Sequence, residues 1–151
     1  MMITIKREGD EWMPTIDRTP QLVRECTLDG AAIIAKIKDA GVVGMGGATF
    51  PTHVKLSVPP GCKAEYLIIN GVECEPYLTS DHRTMLERGE ELLVGIEILK
   101  RAVGVDKAVI GIENNKPDAI DHLRRLIAEK GYGVRVEPLK VRLSLIHISE
   151  P

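Results

Sequence analysis

Two stretches of the chain hold residue types that do chemistry. The first, GVVGMGGATFPTHVKL (41–56), sets Gly44, Gly46 and Gly47 close together, with Phe50 and Lys55 behind them. Glycines carry no side chain, so their backbone N–H groups can approach a flat ring or a phosphate closely. The spacing is G-x-G-G, not the dinucleotide fingerprint G-x-G-x-x-G. The pattern G-x-x-x-x-G-K-[ST] does not occur, which excludes a nucleoside-triphosphate P-loop. Pattern alone leaves two readings open, a structural turn and a ligand cradle. Phe50, the one Phe of the chain, can stack on a ring, although core filling is the commoner fate of a lone Phe. Lys55 can meet a phosphate or the charge of a reduced ring; a solvated surface lysine is the commoner outcome.

The second stretch is acidic, NGVECEPYLTSDHR (70–83). The Asn70 amide both donates and accepts. Glu73 and Glu75 alternate around Cys74, and Pro76 stiffens the turn. Two carboxylates this close repel unless a ligand or cation uses them. A ribityl chain or a nicotinamide amide supplies donors for such acceptors. The plain alternative is a set of solvated acids ahead of a helix, with Asp81 as its N-cap. Cys74 reads as a small packing residue, because no base at a known spacing accompanies it. His53 and His82 lack a pairing motif that would join them to the acids as metal ligands, so no metal is expected. Asn114, Asn115 and Lys116 follow a second strand and are further candidate contacts.

These residues need elements to position them. Thr27 or Asp29 caps a helix over about 29–40, with Ile33, Ile34 and Ile37 at helical spacing and Gly41 as its stop. A short helical turn follows Pro51. EYLIIN predicts a strand over about 65–70, covered on both faces because Leu67, Ile68 and Ile69 are consecutive. A long helix over about 82–103 carries Met85, Leu92, Ile96, Leu99 and Val103 as its buried stripe. KAVIGIE (107–113) is a second two-sided strand. A helix with Ile120, Leu123 and Ile127 on one face follows, and VRVEPL (134–139) is a third strand. Near the start, MITI reads as a short strand and Glu8 to Pro20 as linker. The alternation predicts an α/β, Rossmann-like three-layer unit with a short parallel sheet and crossover helices. Ligands of such sheets sit beyond the strands' carboxyl ends, where the acidic stretch falls. The glycine-rich loop precedes the first strand and can reach the same edge.

Composition bounds the function. The 151 residues suit one domain. Lys plus Arg is 20 against 22 Asp plus Glu, and aromatics are 3%. A near-neutral, aromatic-poor chain lacks the footprint of a nucleic-acid binder. Three cysteines without a Cys-x-x-Cys pair cannot hold an iron–sulfur cluster alone, and their odd number reads as reduced and intracellular. No segment matches a membrane span or a signal peptide.

The segments GVVGMGGATFPTHVKL, EYLIINGVECEPYLTSDHRTM and VIGIENNKPDAI together resemble the C subunit of the bacterial Rnf (Rsx) ion-translocating electron transport complex. The two loops are similar to the flavin-binding part of the complex I flavoprotein, and the resemblance covers about residues 10–140. It implies a domain handling FMN and NADH. Gly44, Gly46 and Gly47 would line the flavin, with Lys55 near its polar end. Asn70, Glu73 and Glu75 would hold FMN, Glu75 also lying near the nicotinamide, and Phe50 would pack beside NADH. Hydride would pass between NADH and the flavin, with no catalytic side chain of its own and no metal site. Thr49 stands where complex I flavoproteins have Gly. Val72 replaces an acid of those proteins, which favours Rnf.

By the same resemblance, residues 1–26 read as the remnant of a preceding sandwich-like domain and linker. Residues 27–142 read as an incomplete FMN/NADH-binding domain, and LSLIHISEP (143–151) as a non-native tail resembling adapter read-through. Family members continue into Cys-rich segments that hold 4Fe-4S clusters. The implied activity is NADH:ferredoxin oxidoreduction by a translocase subunit, peripheral on the cytoplasmic face of the bacterial membrane and partnered by other Rnf subunits. The alternatives are an NADH-dependent reductase partner outside that complex, a non-catalytic interaction module with a purely structural glycine loop, and a metal-dependent hydrolase built on Glu73, Glu75 and Asp81.

Overall fold

The computed structural model describes residues 3–4, 6, 8–9, 11–16, 18–19, 21–45, 48–73 and 77–141. The expectations placed on Gly46, Gly47, Cys74, Glu75, Pro76 and the 143–151 tail lie outside these residues.

Among the described residues, five helices and three strands follow in the order α1 (Gly30–Asp39), α2 (Thr52–Leu56), β1 (Leu67–Gly71), α3 (Ser80–Glu87), α4 (Gly89–Val103), β2 (Ala108–Glu113), α5 (Pro117–Lys130) and β3 (Val134–Leu139). The strands form one parallel sheet in the order β1-β2-β3. Leu67 pairs with Ala108 and Ala108 with Val134, so alternate residues of all three strands share a face. One face carries Ala108, Ile110, Ile112, Val134 and Val136. Met85 of α3, Leu93 and Ile96 of α4, and Ala119, Ile120 and Leu123 of α5 pack against it. This is the α/β parallel arrangement expected from the alternating pattern.

The opposite face is different. Ile68, Val109 and Arg135 form a row across it, and Ile68 is 75% exposed. The helices packed on the sheet lie on the other face among the described residues. The expectation that β1 is covered on both faces therefore fails at Ile68. β1 is an edge strand, and only its helix-facing residues are drawn inward. Central β2 is buried nearly throughout, as a two-sided strand should be. Near the N-terminus, Ile3 and Thr4 are in no strand, so the described part of MITI does not follow its expectation.

The expected single helix over 82–103 is two helices. The backbone breaks at Arg88 (φ −128°, ψ 31°). Gly89 follows, buried, and a Cβ there would lie 2.9 Å from Leu126 Cδ1 and 3.1 Å from His122 Nε2 of α5. The joint between α3 and α4 sits so close to α5 that a side chain would have to displace it.

α1 and α2 build a second, smaller core on α4, with Ile33, Leu56 and Ala102 buried at its centre. Asp29, one of the two N-cap candidates, caps α1 by accepting the Ala32 N–H at 2.8 Å. Gly41 (φ +66°) follows α1 in the left-handed conformation. The first residue of α1 abuts the end of α4, since a Cβ on Gly30 would lie 2.8 Å from the Ala102 carbonyl oxygen. Further along, Ile33 and Ile37 line one groove with Ile98, four residues earlier on α4. α1 therefore runs antiparallel to α4.

Candidate functional site

The glycine-rich loop is pinched shut at its base. The Gly44 N–H donates to the Phe50 carbonyl at 2.9 Å and the Thr52 N–H to the Val42 carbonyl at 3.1 Å. Val43 and Pro51 form an antiparallel bridge between them. α2 begins directly after Pro51 and carries Lys55 back over the loop. A Cβ on Gly44 would lie 2.6 Å from Lys55 Nζ. Glycine here is thus a requirement of close approach: the ammonium rests against bare backbone. Lys55 is exposed and has no ion-pair partner among the described residues. Phe50 is 49% exposed, so it does not fill the core. Thr49, where the resemblance marked a departure from glycine, adopts φ +49°, a conformation that a β-branched residue rarely takes. Its hydroxyl donates to the neighbouring Ala48 carbonyl at 2.8 Å.

The acidic stretch forms the second group. Asn70, near the end of β1, accepts the Val72 N–H on Oδ1 at 3.0 Å, which leaves its Nδ2 donors unengaged among the described residues. Glu73 turns inward, and its side chain is 4% exposed. Oε1 accepts from the Asp81 N–H at 2.8 Å and the Ser80 hydroxyl at 3.3 Å. Oε2 accepts from the His82 N–H at 3.2 Å and lies 3.3 Å from Lys116 Nζ. A carboxylate has about four acceptor positions, and these four contacts use them. Glu73 was expected to offer acceptors to a ligand; it offers them to the first turn of α3 instead. Asp81 was expected to be the N-cap of that helix. The N-cap position is Thr79, whose side chain makes no capping bond, and Glu73 satisfies the orphan N–H groups from across the loop.

Charge at this rim follows from that geometry. Burial alone would raise the Glu73 carboxyl, but the Asp81 and His82 amides and Lys116 outweigh it and hold it below the usual carboxylate value. Asp81 is pushed above its usual value, by burial first and by the neighbouring Glu73 charge second. Lys116, at the N-cap position of α5, also lies 3.4 Å from Glu113 Oε2 at the end of β2. Glu113 is 2% exposed. His82 Nε2 lies 2.9 Å from Asp118 Oδ1, and that contact lowers the Asp118 carboxyl. The starts of α3 and α5 are thus tied together twice, once in the interior and once nearer the surface.

The site residues therefore fall into two groups. Gly44, Phe50 and Lys55 meet around one loop; Asn70 and Glu73 meet at the end of β1. No hydrogen bond or ion pair joins the groups among the described residues. The candidate contact Lys116 is drawn fully into the second group. Glu113 was not singled out from the sequence; its i, i+3 spacing to Lys116 was the available signal. The loop has features that fit an anionic, planar group: close backbone approach at Gly44, an exposed aromatic ring at Phe50, and at Lys55 an ammonium with no ion-pair partner among the described residues.

Comparison with known proteins identifies the family. The family described as Complex1_51K, the Nuo51 FMN-binding domain, matches residues 37–145. The C subunit of the proton-translocating ferredoxin:NAD(+) oxidoreductase complex of Clostridium ljungdahlii is 43% identical over 141 residues, covering 93% of this chain and 30% of that protein. The Na(+)-translocating counterpart of Acetobacterium woodii is 45% identical over 130 residues, covering 84% of this chain and 28% of that protein. The chain thus spans less than a third of the length of these relatives. Among solved structures, an air-oxidized NAD+-reducing [NiFe]-hydrogenase superposes with a TM-score of 0.58 at 26% identity, covering 75% of this chain and 21% of that one. The match over residues 37–145 takes in both loops and all three strands, and the chain belongs to the Nuo51 FMN-binding domain family.

Proposed function

We propose that this chain is the part of an ion-translocating, Rnf-type ferredoxin:NAD oxidoreductase subunit that holds FMN and receives NADH. The observation that carries this reading is the cradle at Gly44, where the Lys55 ammonium, without an ion-pair partner among the described residues, rests against glycine backbone. Gly44, with Gly46 and Gly47, backs the planar group. Lys55 neutralises its phosphate or its ring charge. Asn70 and Glu75 present polar atoms to the ribityl chain and the nicotinamide, and Phe50 packs beside NADH. Glu73 belongs to the same rim through the turn of α3 that it holds. FMN, when bound, supplies hydride exchange with NADH and the passage to one-electron carriers. The chain's own task is to bind and orient, since no described side chain is placed as a nucleophile beside a base.

The names of the relatives support the wider reading, in which the whole protein passes electrons between NADH and ferredoxin within a multisubunit complex. In that reading 4Fe-4S clusters belong to other segments of the subunit. No helix among the described residues is long and apolar enough to cross a membrane. Attachment at the cytoplasmic face would then run through partner subunits.

Titration of FMN into the purified chain, followed by flavin fluorescence, tests the proposal. Lys55→Gln should weaken binding by about tenfold to a hundredfold, as expected when a charge-assisted contact of about 1.5–3 kcal/mol is lost. Flavin fluorescence that stays constant throughout a titration of the unaltered chain refutes it.

A further inference from the structure

Lys116 lies at the start of α5, far in sequence from Glu73, yet it closes the network around that carboxylate. Its ammonium lies 3.3 Å from Glu73 Oε2 and 3.4 Å from Glu113 Oε2, and the three side chains are 10%, 4% and 2% exposed. Two buried carboxylates thus share one buried ammonium. Removing one partner from such a group leaves an uncompensated charge, which proteins tolerate poorly. Glu73 faces a choice of directions. It can turn inward to the Asp81 and His82 amides, or outward to the rim where Asn70 lies. The amides alone favour the inward direction, and the ammonium behind them adds a charge that only the inward direction reaches. Lys116 also fixes its own place: its N–H donates to the Glu113 carbonyl at 3.1 Å, so the turn between β2 and α5 is closed.

We propose that Lys116 is a positioning residue of the cofactor rim: it holds Glu73 inward on the first turn of α3 and so fixes the place of Glu73 after β1. The part of this proposal that concerns FMN rests on the function proposed above. The part that concerns Glu73 does not.

Hydrogen exchange on the 151-residue chain separates the two. The Asp81 and His82 amides stand in the first turn of α3, where no intrahelical acceptor serves them. In Lys116→Met these two amides should exchange at least about tenfold faster, while those of β2 and α4 keep their protection. FMN should bind about tenfold more weakly, and Lys116→Arg should restore both properties. Should Lys116→Met lose protection throughout, Glu73→Gln serves instead. It keeps an acceptor and the shape but loses the ion pair, and the same two amides should again accelerate selectively. Unchanged exchange at Asp81 and His82 in the folded variant overturns the proposal. Accelerated exchange with unchanged FMN affinity overturns its cofactor half. If the unaltered chain takes up no FMN but the two amides respond, the FMN reading falls and the positioning of Glu73 by Lys116 stands.

Discussion

Replacing Gly44 by alanine decides between a cradle and a turn. The backbone of Gly44 is outside the left-handed region, so alanine meets no conformational strain there. The Gly44 N–H bond to the Phe50 carbonyl also survives. The one conflict is the Lys55 ammonium, 2.6 Å from the new Cβ, which is about 1 Å short of the roughly 3.5 Å at which non-bonded heavy atoms rest. That ammonium ends a flexible, exposed side chain and can retreat at small cost. Alanine also reduces the freedom of the unfolded chain, which stabilises by about 0.4–1 kcal/mol. Net stability should therefore change by less than about 1 kcal/mol, or about 2–4 °C in Tm for a chain of this size. Ligand binding should change more. The displaced ammonium loses its place over the backbone, and the new methyl fills the surface on which a planar group would lie. A loss of about 1.5–3 kcal/mol, or about tenfold to a hundredfold in the Kd for FMN, follows if the charge contact is lost. Thermal melting and flavin fluorescence on the same preparation check both numbers. A Tm lowered by well over 4 °C with an unaltered Kd refutes the reasoning and makes the loop a structural turn.

Two further predictions concern stability. Gly89→Ala should cost about 1–3 kcal/mol, measured by urea unfolding, because its Cβ would push on Leu126 and His122 at the α3–α4 joint; an unchanged midpoint would show that α5 yields freely. Acid unfolding should report Glu73. Its folded carboxyl is held below the ordinary value of 4.5, so its contribution is present above that pH and is lost as pH falls through the lowered value. Asp81 acts in the opposite sense: raised above 3.8, it contributes below that pH and loses the contribution as pH rises through its folded value. Glu73→Gln removes the first dependence; relieving the Glu73 charge on Asp81 works the other way, but burial is the larger cause of the Asp81 shift. The variant should therefore lose less stability than the unaltered chain as pH falls below 4.5; parallel curves there would rule the assignment out.

What was legible in the sequence was local. Runs of β-branched residues place the strands to within two residues, because a buried parallel strand shows itself in consecutive positions. The same rule misled at Ile68, since an apolar run does not reveal whether a strand lies at the centre or the edge of its sheet. The stripe Met85, Leu92 and Ile96 continues across the break at Arg88, so periodicity saw one helix where two stand. The cause of the break, contact with α5, lies more than thirty residues away. At the site, the glycine loop and Lys55 were readable because eight residues separate Gly47 from Lys55.

The surroundings of Glu73 were not legible in the sequence, for a reason that bears on function. Its neighbours in sequence are acids and a proline, which point to an exposed, ligand-seeking carboxylate. Its neighbours in space are two amides, a hydroxyl and a lysine, which saturate it. A buried ion pair contributes little net stability over an apolar replacement. What Glu73 and Lys116 do provide is direction. They join the end of β1 to the start of α5 by groups that accept only one arrangement, whereas apolar side chains would accept several. In the proposed FMN site, a rim that presents Asn70 gains more from a fixed Glu73 than from another free carboxylate, and charge matched in the interior is the means by which this chain fixes it.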